Sequence, residues 1–445
     1  MKKYALLMLL SALAGTSAAL DPLFTSSVQP PKGCIDKNVT QDTLSLADLV
    51  QVGICTNPSL SAQYMGVKAT EANLGAGRSQ YLPSVTLTGS AGVDGKRTEG
   101  RGGYTQTEPY YGKAEAAWLL FDFGGRESRV HTLRAYADAA GYGYQAALHD
   151  LMLSVQTAYL RLLAAEETLV SANASLDSYK QSYNEAQKRY KLGMVSLSDR
   201  LQAKTRYEQA LLAVVLAEDE VKQYSGQLAV LLNLPPDTQL HLEKPQFDKE
   251  STSIEKDDVQ ALMQDALRDR PELRAQESKE SAAKSSVTAA KTNMLPTISA
   301  TASADIADSS WKRHSYYGRE NTAGLAVSMP LFTGFSNLYQ VKSAAWTYKQ
   351  EKANTQNLRL SIQNEVWSNY QNYKTAVRSY EISQTVLESA EENHRVAFRY
   401  YQVGKGDILT LLDAVAQLAD ARQNKISAFY SLLLSKANLY KSIGK

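Results

Sequence analysis

The sequence predicts a mixed α and β membrane protein in which one unit of helices and strands occurs twice. Short segments recur in the same order in the two halves of the 445-residue chain. Four stretches alternate apolar and small polar residues, as half-exposed strands do. Two much longer stretches contain no proline and predict long helices. Recurrence in a fixed order indicates an internal duplication.

The first 19 residues have the features of a secretory signal peptide. Lys2 and Lys3 precede an apolar run from Ala5 to Leu13, and small residues follow it. We expect residues 20–41 to form a separate N-terminal segment. Removal of the signal takes the net charge from +2 to 0, which gives no indication of nucleic-acid binding. No later apolar run is long enough for a transmembrane helix, so none is expected.

The chain has only 2 cysteines, Cys34 and Cys55. A protein exported to an oxidising compartment normally pairs such residues, so we predict a disulfide between them. Attachment of a lipid to Cys34 is the less favoured alternative, because Cys34 lies well beyond the apolar run of the signal.

Several paired segments carry the duplication. They are NPSLSAQ at 57–63 and RPELRAQ at 270–276, QYLPSVTLTGSA at 80–91 and NMLPTISATASA at 293–304, LLFDFGG at 119–125 and PLFTGF at 330–335, and YKLGMVSLSD at 190–199 and YQVGKGDILT at 401–410. We therefore predict a first repeat at 42–234, a linker at 235–258 and a second repeat at 259–445.

The sequence alternates in four stretches, at 85–91, 111–120, 298–302 and 325–331. We expect each to belong to a strand of about ten residues, which is the length that a membrane-spanning strand needs. An ordinary half-buried antiparallel sheet is the alternative. Four strands cannot close a barrel, because even a small one needs about eight. Strands in a membrane would therefore have to be shared among several chains. We expect polar loops at 94–109 and 305–321, outside the cell.

The two proline-free stretches predict helices from Arg126 to Leu192 and from Ser336 to Val403. An unbroken helix of that length would be about 100 Å long. Alanines recur at sevenfold spacing, which favours coiled-coil packing through small contact residues. These alanines are Ala203, Ala210, Ala217, Ala414, Ala421 and Ala428.

The sequence resembles the TolC-like outer-membrane efflux and secretion channels, also called outer membrane factors. The duplicated NP and LP segments, the L-F ends of the second strands and the two Tyr-x-x-Gly corners carry the resemblance. It implies a homotrimer with a shared 12-stranded β-barrel in the outer membrane of a Gram-negative bacterium and a coiled-coil tunnel in the periplasm. It also implies a periplasmic adaptor protein and an inner-membrane transporter as partners, and contact with outer-membrane lipid.

The resemblance gives the two corners a role. Each is the turn of a helical hairpin at the tunnel mouth, and it would contact the adaptor. The residues implied are Gly193 and Met194 in the first corner and Gly404 and Lys405 in the second. Glycine permits the backbone turn that ends one helix. Ser196 and Asp407 are placed to cap the helix that follows.

The resemblance also implies a latch between the hairpins, made by Asp199 and Tyr401. A capping box with Ser196 is the simpler role for Asp199, and both roles can hold. The family latch sometimes includes an arginine two residues past the second glycine, where this sequence has Gly406.

A constriction is implied at Asp413, where three carboxylates of a trimer would attract cations. An ordinary solvated carboxylate is the alternative. The family often has a second acid at the position of Thr410, and Asp407 lies close enough to add negative charge.

We find no motif for catalysis, for a cofactor or for a metal ion, and the 5 histidines are dispersed. We therefore expect a passive channel and not an enzyme. A non-transporting coiled-coil structural or adhesin protein of the envelope is the alternative function. Whether the substrate is a drug, a metal ion or a polypeptide stays open.

Overall fold

We describe the chain from a computed structural model, which describes residues 43–98, 103–243, 258–311 and 314–445. The predicted signal peptide, the N-terminal segment 20–41, Cys34 and most of the linker lie outside the described residues. The pairing of Cys34 with Cys55 therefore stays a prediction. The chain forms two compact units. The first includes Met65–Tyr142 and Arg274–Gln356, and the second includes Gly143–Leu273 and Asn357–Lys445.

The described residues form helices in the same order in each half. They are α1 Leu46–Thr56, α2 Pro58–Arg78, α3 Gly125–Lys191, α4 Leu197–Leu231, α5 Val259–Asp269, α6 Pro271–Thr292, α7 Ser336–Gln402 and α8 Ile408–Ser442. Pro58 and Pro271 are each the first residue of a helix, where the missing N–H of proline costs no hydrogen bond. The duplicated segments at 57–63 and 270–276 therefore mark helix starts.

The two long helices are confirmed to within one residue at each end, and each contains 67 residues. The sevenfold alanines also pack as predicted. Ala203, Ala210, Ala217, Ala414 and Ala421 are buried, and Ala428 is half-buried. Among the described helices, none combines the length and the apolar character needed to cross a membrane.

The strands are β1 Thr43–Leu44, β2 Ser84–Ala91, β3 Asp94–Thr98, β4 Gly103–Phe121, β5 His241–Leu242, β6 Thr297–Trp311 and β7 His314–Ser328. The main sheet has the antiparallel order β2-β4-β6-β7, and β3 continues the pairing of β2 along β4. In the described part of the chain, β2 and β7 each pair on one side only. In the second unit, β1 and β5 form a short parallel pair.

The polar segments expected to be loops are for the most part strands, so that expectation is wrong. Asp94 is paired with Thr107, and Asp305 is paired with Glu320. Antiparallel pairing depends on backbone hydrogen bonds, and polar side chains do not interrupt it. Each strand pair therefore extends well beyond the stretch in which apolar and polar residues alternate.

Where the strands alternate in sequence, the main sheet has one apolar face and one polar face. The register places Val85, Ala116, Ala302 and Ala323 in one row, and a neighbouring row contains Trp118, Ala300 and Leu325. The opposite face carries Thr86, Glu115, Ser303 and Thr322. The apolar face is not covered within this chain, since Val85 is 76% exposed and Leu325 is 73% exposed.

The corner between β4 and α3 is held by a buried charge cluster. The Asp122 carboxylate accepts hydrogen bonds from the Arg126 backbone N–H at 2.6 Å and from Arg129 Nη2 at 3.0 Å. The Arg126 guanidinium donates to the carbonyl oxygens of Leu119 and Leu120 at 2.6 and 2.9 Å. Arg126 therefore joins the end of β4 to the start of α3. Asp122 and Arg126 are both 7% exposed.

We predict that Asp122→Ala destabilises this corner by on the order of 3 kcal/mol, because it leaves Arg126 buried without a carboxylate. The free energy of unfolding in urea, measured on detergent-extracted protein, gives the value. The matched control is Thr333→Ala in the corresponding corner before α7, where the exposed Thr333 hydroxyl accepts only from the Asn337 N–H, at 3.4 Å. That change should cost about 1 kcal/mol or less. Equal losses in the free energy of unfolding would show that the charge cluster stabilises its corner no more than the Thr333 hydroxyl stabilises the other.

Candidate functional site

The two hairpin corners have the same backbone geometry. Gly193 and Gly404 adopt φ values of 71° and 78°, in the left-handed region that favours glycine. In the first corner the Met194 N–H donates to the Arg189 carbonyl at 2.9 Å. In the second, the Lys405 N–H donates to the Tyr400 carbonyl at 3.0 Å. These bonds satisfy carbonyl groups that the helix ends leave free.

The predicted caps are confirmed. The Ser196 hydroxyl accepts from the Asp199 N–H, and the Asp199 carboxylate accepts from the Ser196 N–H at 3.0 Å, which completes a capping box for α4. Asp407 caps α8, and its carboxylate accepts from the N–H and the hydroxyl of Thr410, both at 2.8 Å. These bonds, that from the Thr410 N–H first, hold the pKa of Asp407 below its usual range.

The expected direct contact between Asp199 and Tyr401 is not formed. The Asp199 carboxylate is bound to the Ser196 N–H, and the Tyr401 hydroxyl is buried without a hydrogen-bond partner. Burial raises the pKa of Tyr401, the nearby Arg189 lowers it, and the Asp199 charge raises it further. The Asp199 carboxylate therefore makes no hydrogen bond to Tyr401, and one of its oxygens caps α4 instead. The latch role of this pair stays a prediction.

Sequence reasoning missed Arg189, which joins the two hairpins. Its Nη2 donates to the Gln402 carbonyl at 2.8 Å, and its guanidinium lies 4.4 Å from the centre of the Tyr401 ring. A signal was present in the sequence. The buried face of α3 contains Tyr179, Ser182 and Ala186, and Arg189 continues that spacing. A charged residue on a buried helical face indicates a specific partner.

The predicted constriction residues all lie at the start of α8. Thr410 and Asp407 are exposed and bonded to each other, and Asp413 is exposed one turn later. On the same helix Leu411, Leu412 and Ala414 face the packed interior of the corner. Asp413 is therefore available to solvent or to another copy of the chain. A ring of three such carboxylates stays a prediction.

Apolar side chains are exposed at both corners. Leu192 and Met194 are 74% and 64% exposed in the first corner, and Val403 is 66% exposed in the second. Apolar side chains exposed side by side are typical of protein contact sites. Contact of these corners with an adaptor stays a prediction. Within residues 43–98, 103–243, 258–311 and 314–445, no three carboxylate, histidine or cysteine side chains are grouped as metal ligands.

Comparison with known proteins identifies the family. The model of the outer membrane efflux protein family matches residues 49–234 and 262–445. Protein CyaE of Bordetella pertussis is 27% identical over 387 residues, covering 86% of this chain and 81% of that protein. Outer membrane protein TolC of Escherichia coli is 24% identical over 421 residues, covering 90% and 82%. The chain belongs to the outer membrane efflux protein family.

Solved structures agree in fold. The outer-membrane channel OprN superposes with a TM-score of 0.79 at 20% identity, covering 95% of this chain and 99% of OprN. VceC of Vibrio cholerae gives a TM-score of 0.77 at 19% identity, covering 90% and 96%. OprN is an outer-membrane channel, and VceC is an outer membrane protein. The predicted fold class and the outer-membrane location are thereby confirmed.

We predict that acidification loosens the first turn of α8. The pKa of Asp407 is lower in the folded than in the unfolded protein, so its cap is complete above the unfolded value of about 3.9 and is lost as pH falls through the lower folded value. Amide hydrogen exchange at Leu409 to Leu411, corrected for intrinsic rates, should become faster below about pH 4.

The matched control is Asp407→Asn, because asparagine caps a helix without titrating. The exchange of its first-turn amides should not change over the same pH range. The same acceleration in both proteins would assign the effect to another group.

Proposed function

We propose that this chain is the outer-membrane channel of a tripartite efflux pump or a type I secretion system. Three copies would enclose one duct, through which substrates pass from the inner-membrane machinery to the exterior. The channel would be passive and would catalyse no reaction. The single observation that carries the proposal is the two-faced sheet with open edges, in a chain of the outer membrane efflux protein family.

The polar face of the sheet suits a water-filled interior. Lys113 and Glu115 form an ion pair at 2.7 Å, and the Tyr111 hydroxyl donates to the Asp305 carboxylate at 2.7 Å. The apolar face suits lipid hydrocarbon, since its exposed side chains include Val85, Leu87, Leu325 and Val327. In membrane barrels, apolar residues face outward and polar residues face inward.

The helices also support association with further copies. On α4, the apolar residues Leu211, Leu212, Val215 and Leu216 are between 42% and 58% exposed. On α7, Leu360, Trp367, Ile382 and Val386 are between 46% and 64% exposed. Helices of a monomeric protein rarely leave so much apolar surface uncovered. A homotrimer would bury these faces as well as the strand edges.

A periplasmic adaptor would bind the exposed apolar side chains of the two corners, and the adaptor would connect the channel to an inner-membrane transporter. The relatives include toluene and antibiotic efflux pump proteins of Pseudomonas putida, each 27% identical over 419 residues. Drug-like molecules are therefore one substrate class for this chain, beside metal ions and polypeptides. A non-transporting adhesin or structural role fits the polar sheet face poorly.

We predict that the detergent-extracted protein conducts ions in a planar bilayer and prefers cations, because three Asp413 carboxylates would meet each ion at short range. Asp413→Asn keeps the side-chain shape and removes the charge, so the ratio of cation to anion permeability should fall by roughly two- to tenfold. Reversal potentials in a salt gradient measure this ratio.

The matched control is Asp420→Asn, an exposed carboxylate two turns later on the same helix. Its effect should be clearly smaller. If Asp413→Asn leaves selectivity untouched, the ring is misplaced and Asp407 is the next candidate. A folded protein that does not conduct at all would contradict the channel itself.

A further inference from the structure

Arg189, in the last turn of α3, is a buried cation with partners in both hairpins. It is 9% exposed, although arginine is rarely buried without specific contacts. Its Nε donates to the Glu185 carboxylate at 3.2 Å within its own helix. Its Nη2 reaches Gln402 of the second hairpin, 213 positions away in sequence, and the face of its guanidinium reaches Tyr401 of the same hairpin.

The acceptor in the second hairpin lies at a helix end. Gln402 is the last residue of α7, and its carbonyl is among those that a helix terminus leaves without an internal partner. The partial negative charge of the helix dipole is concentrated at this end, so a guanidinium is favoured there. The 2.8 Å bond therefore joins a full positive charge to a carbonyl that needs a donor.

The contact with Tyr401 depends on its ring. Tyr401 is 1% exposed and packs among buried residues of both hairpins, including Ala186, Ala203 and Ile408. Its hydroxyl has no partner, so the guanidinium over the ring is the polar contact that the side chain makes. Such stacking is strongest where water is excluded.

The turn of the second hairpin offers no buried cation of its own. A Cβ atom at Gly406 would lie 3.2 Å from the Tyr401 nitrogen, so a side chain there would force the turn to shift. Lys405 is exposed. In the described residues of the two corners, 186–199 and 398–411, Arg189 is the buried cation.

We propose that Arg189 is the positioning residue that holds the two hairpins together and opposes opening of the channel. The proposal rests on the proposed channel function and adds its regulation. Separation of the hairpins would break the bond to Gln402 and remove the guanidinium from the Tyr401 ring. The Asp199 carboxylate contributes through the cap of α4.

The experiment compares Arg189→Gln with Arg200→Gln. Arg200 is the matched control, because its guanidinium lies 4.8 Å from the Tyr190 ring and both residues belong to the first hairpin. Each substitution removes one cation–π contact and one charge, but only the first removes a contact between hairpins. Arg189→Gln should raise the open fraction in planar bilayers about tenfold, the size expected for one charge-assisted contact. Arg200→Gln should raise it clearly less.

Two further variants identify the contact. Arg189→Lys keeps the charge but loses the planar fork, so its open fraction should lie between those of the wild type and Arg189→Gln. Tyr401→Phe keeps the ring, so it should open the channel less than Arg189→Gln does. If Tyr401→Phe opens the channel more than Arg189→Gln, the tyrosine hydroxyl is the link and the proposal is wrong.

A second measurement does not depend on conduction. Hydrogen exchange at Gln402 and Val403 should be faster in Arg189→Gln than in the wild type, and unchanged in Arg200→Gln. Equal behaviour of the two arginine variants in both measurements would overturn the proposal. A wild-type protein that does not conduct would instead contradict the proposed function, and hydrogen exchange would still decide whether Arg189 joins the hairpins.

Discussion

An open sheet edge cannot remain in membrane hydrocarbon, because each free N–H and C=O group there costs several kcal/mol. Among the described residues, the strands β2 and β7 present such edges. The other features of the sheet follow from this constraint. The chain therefore needs partners at both edges, and in the proposed homotrimer β7 of one copy would pair with β2 of the next. In that assembly the apolar face would turn outward, and the polar face would enclose water.

The duplication of the repeat also contributes to a closed barrel. Two strands per repeat give four per chain, so three chains would exceed the roughly eight strands whose side chains fill a barrel interior. Each repeat also contributes one long helix and one shorter helix joined by a glycine corner, so the same hairpin occurs twice. The two copies are not equivalent in detail. Asp122 and Arg126 hold the first strand-to-helix corner, whereas the second has no such cluster among the described residues.

Local sequence patterns predicted much of the architecture. Alternation located the strands, and the absence of proline predicted the long helices α3 and α7. The alanine spacing predicted buried contact positions on the shorter helices α4 and α8. Ser196 and Asp407 were identifiable as caps because capping depends on residues only a few positions apart. The extension of the strands through polar residues was missed, because backbone hydrogen bonds between strands do not depend on the type of side chain. The link through Arg189 was missed because its partners are distant in sequence. One of them is a backbone carbonyl, which every residue has, so the residue type does not reveal it.

The central claim is that three copies of this chain complete one barrel. Native mass spectrometry of the protein, extracted from outer membranes in mild detergent, tests it most directly. The account predicts one dominant species with the mass of three mature chains. A stable single chain, folded and extracted from the membrane without partners, would contradict it.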